Sequence, residues 1–269
     1  MEPAPKPQFP RSAGIPVIIF LFVLLLGGCF HRSIQDGAPR YHVDVSKIHS
    51  PTPHYLPKSK YGNPSSYFVD GVRYRVLHSA NNYRRRGIAS WYGTKFQGRL
   101  TSTREPYDLL GMTAASPELP IPCFVRVTNL ENGKQIIVKV NDRGPFAPNR
   151  ILDLSFAAAK KLGYANRGTA LVEVDSIDVR NPAQPRQYYA THKPKIYLQV
   201  GAFSRSQNAL RLRNEIERVT HREARITQEH NRYGLYRVQV GPLRSVDESD
   251  TLQQRIQRLR LGRAITVIG

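Results

Sequence analysis

Apolar positions in this chain change their spacing several times, and each change marks a segment. Residues 15–26 are apolar almost throughout, a stretch shorter than the roughly 20 residues a membrane-spanning helix needs. Lys6 and Arg11 precede it and Gly27-Gly28 follow, the layout of a secretory leader over 1–28. Residues 30–60 have little periodicity and carry Pro51, Pro53 and Pro57, which predicts an extended tether within a 29–86 segment. Tyr67-Phe68-Val69, Asp70-Gly71 and the run 72–77 then predict a hairpin, because Asp-Gly between apolar-aromatic runs favours a two-residue turn. Arg84-Arg85-Arg86 reads as a solvated linker patch. Residues 88–92, 124–128, 135–140 and 171–179 are β-branched and aromatic, hence strand-like. One helix interrupts them, with Ser155 as its cap, 157–162 as its body and Gly163 as its stop. Asn132-Gly133 predicts another hairpin. Short strands with one helix over 87–180 predict a small closed barrel.

After a Pro- and Gln-containing linker at 181–194, residues 195–269 repeat a pattern. Tyr197-Leu198-Gln199-Val200-Gly201 recurs as Tyr236-Arg237-Val238-Gln239-Val240-Gly241 with one residue inserted, and each copy leads into a helix. The helices carry apolar stripes at Ala209, Leu212, Ile216 and Val219, and at Leu252, Ile256 and Leu259. Ser204 with Gln207 and Ser245 with Glu248 predict capping boxes. With strand-like runs at 224–228 and 264–268 the expected product is a βαββαβ unit, one sheet with two helices on one face.

The cysteines and the charge sharpen this picture. Small residues before Cys29 match the bacterial lipobox, in which the cysteine is acylated and becomes the first residue of the mature protein; an uncleaved anchor is the alternative. Phe30 at the next position resembles sorting signals for the outer rather than the inner membrane. Cys123 is the only other cysteine, so a lipidated Cys29 leaves no intramolecular disulfide and stability rests on packed cores. The formal net charge is +20. On an exported protein this predicts anionic cell-wall polymer or lipid head groups as partners, and no nucleic acid.

Asn141-Asp142-Arg143-Gly144-Pro145-Phe146 places a carboxylate where the strand run 136–140 breaks into a turn. That suits a catalytic acid on a rigid support, and equally an ordinary Asp/Asn turn. Trp91, Tyr92 and Tyr107 can stack on sugar faces lining a groove, and Trp91 can equally fill the barrel core. His31, His42, His49 and His54 are irregularly spaced and predict no metal site, and no cofactor motif is present. Ser155 lacks a nucleophile's Gly-x-Ser-x-Gly context.

The motifs 87–93, 96–101, Glu105-Pro106-Tyr107-Asp108, Met112-Thr113-Ala114-Ala115, 119–122, 125–129, 141–146 and Asp153-Leu154-Ser155 together resemble the rare lipoprotein A family. The resemblance implies a double-psi β-barrel, related to expansins and several lytic transglycosylases, and the tail looks like a SPOR domain of ferredoxin-like layout. It implies endolytic cleavage of peptidoglycan between N-acetylmuramic acid and N-acetylglucosamine, with the muramic 6-hydroxyl closing on C1 to leave a 1,6-anhydro end. An intramolecular nucleophile lets one acid/base residue suffice where an ordinary glycosidase needs two. On this reading Asp142 is the acid, and Glu105 assists it or raises its pKa by like-charge repulsion. Arg143 is a candidate substrate contact. Many family members carry a catalytic His where this chain has Ser116, and His and Gly where it has Gln97 and Arg104. Two readings therefore stand: a lytic transglycosylase, and a wall-binding lipoprotein with little or no activity. The tail is expected to bind peptide-stripped glycan through Gln199, Arg237 and Gln239 on an open sheet face, at the division septum on the periplasmic side of the outer membrane. Division proteins are a further candidate class of partner.

Overall fold

The structure, a computed structural model, describes residues 36–179, 194–228 and 234–269. The expected leader, Cys29 and nearly all of the expected linker lie outside the described residues. Strands β1 (Ser66–Val69) and β2 (Val72–Arg75) pair antiparallel with Tyr67 opposite Tyr74. Asp70 and Gly71 sit at φ 49° and 75°, the left-handed pair that a tight hairpin turn requires. The Tyr67 and Tyr74 rings stack at 5.4 Å, and Phe146 meets both edge-on, so the hairpin is held to the segment that follows Asp142.

Six strands close the barrel: β3 (Arg84–Tyr92), β4 (Thr113–Ala115), β5 (Cys123–Asn129), β6 (Gln135–Asp142), β7 (Arg150–Ser155) and β8 (Ala170–Ser176), in the order β3-β7-β4-β6-β5-β8. The β3/β7 and β4/β6 pairs are parallel and the others antiparallel. Alternate residues fill the interior: Val125 and Val127, Val138 and Val140, Leu152 and Leu154, Val172 and Val174 are all buried. Helix α1 (Phe156–Leu162) leaves β7 directly, with the Ser155 hydroxyl accepting from the Ala158 amide and Gly163 ending it in the left-handed region.

Two sequence expectations change here. The triple arginine is the start of β3 rather than a linker: Arg84 and Arg86 pair with Glu173 at 2.6 and 2.7 Å, and Arg85 with Glu118 at 2.6 Å. Alternation puts Arg84 and Arg86 on one face with the β8 carboxylates Asp175 and Glu173, and Arg85 on the other with Glu118 from the loop after β4, so a charged run can still be a strand. Residues 36–63, expected as tether, lie along the barrel. Val43 is buried in its core, and Lys160 and Lys161 in the last turn of α1 donate to the carbonyls of Val43, Val45 and Ile48. Asn63 exchanges two hydrogen bonds with the Ile121 backbone, at 2.6 and 2.9 Å. Such a segment docks through its backbone and a few apolar side chains, Val43, Val45 and Ile48, whose spacing fits neither helix nor strand.

The tail runs β9 (Ile196–Phe203), α2 (Ser206–Thr220), β10 (Ala224–Gln228), β11 (Tyr236–Leu243), α3 (Val246–Arg258) and β12 (Ile265–Ile268). Its antiparallel sheet has the order β10-β11-β9-β12. Ala209, Ile216, Leu252 and Ile256 from the helices share one core with Leu198, Val200, Val238 and Val240. Ser245 caps α3 as expected, accepting from the Glu248 amide. No capping box forms at Ser204, because α2 begins at Ser206 with Arg205 at the cap position. The tail meets the barrel through Arg150 and Asp250, 2.6 Å apart, and through Asn149 with Gln253. Replacing Val43 with Ala should lower stability in urea unfolding by about 1–2 kcal/mol, the cost of two buried methyl groups; a change near zero would mean that the segment does not pack.

Candidate active site at the barrel mouth

The short strand β4 joins two carboxylates. Ala115 pairs with Asp142 at the end of β6 on one side and with Asp153 of β7 on the other. Neighbouring strands lie about 4.8 Å apart, so the backbones of the two aspartates stand about 10 Å apart across Ala115. Gly144, at φ 136°, takes a backbone conformation that favours glycine, and a Cβ there would lie 3.7 Å from that of Ala115.

Asp142 is partly exposed, and one of its oxygens is fixed. Oδ1 accepts from the Ser102 amide at 2.8 Å, the Ser102 hydroxyl at 2.7 Å and the Arg143 amide at 2.7 Å. Among the described residues Oδ2 has no hydrogen-bond partner, so it is the oxygen available to a ligand. Asp153 is held differently, accepting from the Ser90 hydroxyl on β3. Burial pushes its carboxyl up to about 6, against the Ser90 hydrogen bond and the Arg150 charge, while Asp36 and Asp142 add to the rise. Asp36 itself anchors the N-terminal segment beside the site, accepting from the amides of Gly93 and Lys95 at 3.1 Å.

These geometries acquire a family through comparison with known proteins. Residues 84–174 match the model described as "Lytic transglycolase", and residues 193–266 match the SPOR domain. A Pseudomonas aeruginosa (strain UCBPP-PA14) protein named "Endolytic peptidoglycan transglycosylase RlpA" is 40% identical, over 89% of this chain and 86% of its own length. A Vibrio cholerae protein of the same name is 36% identical, over 89% and 92%. The chain belongs to the RlpA family. Its barrel is a double-psi β-barrel, followed by a SPOR domain. Among solved structures, the P. aeruginosa RlpA SPOR domain is 34% identical, with a TM-score of 0.26 over 27% of this chain and 96% of that one. An expansin from Clavibacter michiganensis is 18% identical, with a TM-score of 0.29 over 61% and 81%.

Against this RlpA background the predicted site residues divide. Asp142 is at the mouth. Glu105 is turned toward Lys139 and Asn141, which donate to it at 2.8 and 2.7 Å. Burial opposes ionisation there, but those hydrogen bonds and the Lys139 charge prevail and hold the carboxyl below its ordinary value. Glu105 is therefore an ionised, cation-paired group, and Lys139 offsets its field at Asp142. Ser116 is fully buried; its hydroxyl accepts from the Leu119 amide at 3.2 Å and its own amide donates to the Asp142 carbonyl at 3.0 Å. It shapes the turn beside Asp142. Arg143 is a clamp, donating to the carbonyls of Gly62 (2.7 Å), Ser116 (3.0 Å) and Leu119 (2.5 Å) and to Asn63 Oδ1 (3.1 Å).

Tyr92 and Tyr107, expected to stack on sugar faces, are buried in the core and stack on each other at 4.1 Å. Trp91 packs on Phe156 and donates to the Ala165 carbonyl. In the tail, Gln199 and Gln239 face each other across β9 and β11 and are buried rather than open. Arg237 donates to Gln199 and Arg225 to Gln239. Arg225, which lies 3.6 Å from the Tyr197 ring centre, was not singled out from sequence. Nor was Asp153, although it opens the Asp-Leu-Ser motif; only the strand register shows it beside Ala115. Among the described residues no group of three or more His, Cys, Asp or Glu side chains could hold a metal ion. Arg143→Met should lower unfolding stability by about 2–3 kcal/mol through orphaned carbonyls, and Arg143→Lys should not restore it, since a single ammonium cannot span the four acceptors. Full recovery with lysine in a denaturation curve would refute the clamp.

Proposed function

We propose that the chain is an endolytic peptidoglycan transglycosylase whose working groups are Asp142 and Asp153. The observation that carries this reading is their placement on the two sides of Ala115, with Asp153 keeping its proton up to about pH 6 and Asp142 offering an open oxygen. Two carboxyls in different environments are the usual basis for dividing acid and base roles. Asp153 gives its proton to the glycosidic oxygen as the C1–O4 bond breaks. Asp142 takes the proton of the muramic 6-hydroxyl as that oxygen bonds C1, and solvent exchange resets the pair. No water is consumed, and the product carries a 1,6-anhydro end.

Around this chemistry the reading places an acylated Cys29 at the outer membrane and a tail that binds peptide-stripped strands at the septum, with division proteins as further partners. Support comes from the leader pattern of 15–29, the SPOR match over 193–266 and the net charge of +20. The second reading, a wall-binding lipoprotein that does not cut, is favoured by Ser116, a buried hydroxyl at the position where the family resemblance leads one to expect a catalytic His.

Incubation with peptide-free glycan strands and mass spectrometry of the products decides between them. The account expects anhydro-ended fragments, reduced about 100- to 10,000-fold in both Asp142→Asn and Asp153→Asn. Because the acid must be protonated, turnover should fall up to tenfold for each pH unit above about 6. Strand binding without fragments would establish the second reading.

A further inference from the structure

A cleft of about 870 Å³ opens between the β1–β2 hairpin, the segment 145–151 and the turn from α3 to β12. That volume is within the range of ligand-binding clefts, roughly 300–1,000 Å³. Arg73 and Arg75 enter it from the hairpin, and Arg260 and Arg263 from the tail. All four are exposed, and among the described residues none has a carboxylate partner. Their charges are not offset from within the cleft, because its one lining acid, Glu118, is taken by Arg85 at 2.6 Å. Tyr74 and Phe146 also line the cleft, Tyr74 from the opposite face of β2 to Arg73 and Arg75, and Phe146 is 38% exposed although it is packed edge-on to Tyr74.

Guanidinium groups beside aromatic faces suit a ligand that repeats two features, a carboxylate and an apolar ring face. Arg73 and Arg75 are alternate residues of β2, about 7 Å apart along one face, which suits an extended polymer better than a single anion. The cleft also adjoins the barrel mouth along the chain: Pro145 and Phe146 come three and four residues after Asp142, and Pro117 directly follows Ser116. Walls drawn from three elements make it concave, whereas a bilayer surface presses against flat or convex ones.

We propose that this cleft is a subsite for carboxylate-bearing glycan on one side of the cleaved bond, with the four arginines pairing the carboxylates and Tyr74 and Phe146 lying against sugar faces. It rests on the peptidoglycan reading above and adds a binding region distinct from the sheet of the tail. The hairpin thereby becomes part of substrate recognition.

Binding, rather than cleavage, tests it. The full chain carrying Cys29→Ala and Asp142→Asn would be titrated with fluorescent peptide-free glycan strands, and in parallel with strands whose carboxyls have been amidated. Arg73→Ala/Arg75→Ala and Arg260→Ala/Arg263→Ala should each weaken binding of native strands about tenfold, with the melting temperature unchanged. Amidated strands should bind weakly and equally to all three proteins, and Arg73→Lys/Arg75→Lys should keep most of the affinity. Undiminished affinity in the hairpin variant, or tight binding of amidated strands, would overturn the subsite alone. No strand binding by the chain with its arginines intact would overturn both readings. Vesicles containing phosphatidylglycerol provide the remaining arm: if the hairpin arginines matter for vesicles and not for strands, the cleft is a lipid site and the proposal fails.

Discussion

Closing a six-stranded barrel with two parallel pairs leaves one place where the sheet would otherwise gape, between β6 and β7, and only the three residues of β4 fill it. Each strand of a barrel must find partners on both edges, since an unpaired edge leaves backbone donors and acceptors unsatisfied. Thr113-Ala114-Ala115 meets that need with side chains small enough to sit between two neighbours. Because Ala115 is bonded to both strands, the ends of β6 and β7 are brought to one level at the mouth. Asp142 and Asp153 are therefore placed by backbone register, a stiffer device than side-chain packing.

Around that mouth the chain before the barrel completes the support. Arg143 ties the 116–119 turn to Gly62 and Asn63, and Asn63 in turn holds Ile121. Asp36 holds the 93–95 turn next to β3, which carries the Ser90 partner of Asp153. The family match begins at residue 84, yet the residues that brace the site reach back to 36. Removing the lead segment should therefore be felt at the two aspartates as well as in overall stability.

What the sequence disclosed follows the reach of the interactions. The Asp70-Gly71 hairpin, the cap at Ser155 and the repeat within the tail depend on neighbours a few residues apart, and each was legible. Strand β4 was not, because Thr-Ala-Ala has weak strand preference and acquires its conformation from partners on β6 and β7 that lie far along the sequence, Ala115 pairing with Asp142 and Asp153. Arg84 to Arg86 are exposed as expected but form the start of a strand, and only their distant partners Glu173 and Glu118 distinguish this from a linker. Asp142 could be found from its turn, whereas the significance of Asp153 lies in burial and in the nearness of Asp36 and Asp142. Glu105 looked like a second catalytic carboxylate in sequence; Lys139 and Asn141, which define its real setting, lie more than 30 residues further on.

The division of labour between the two aspartates stands or falls on where Asp153 releases its proton. A carbon-13 NMR titration of the aspartate carboxyls would measure this directly, with Asp153→Asn used to assign the signal. A midpoint at about 6, moving down in Asp142→Asn as one neighbouring charge is lost, is the result the account predicts. A midpoint near the ordinary aspartate value of about 4, unmoved by that substitution, would contradict it.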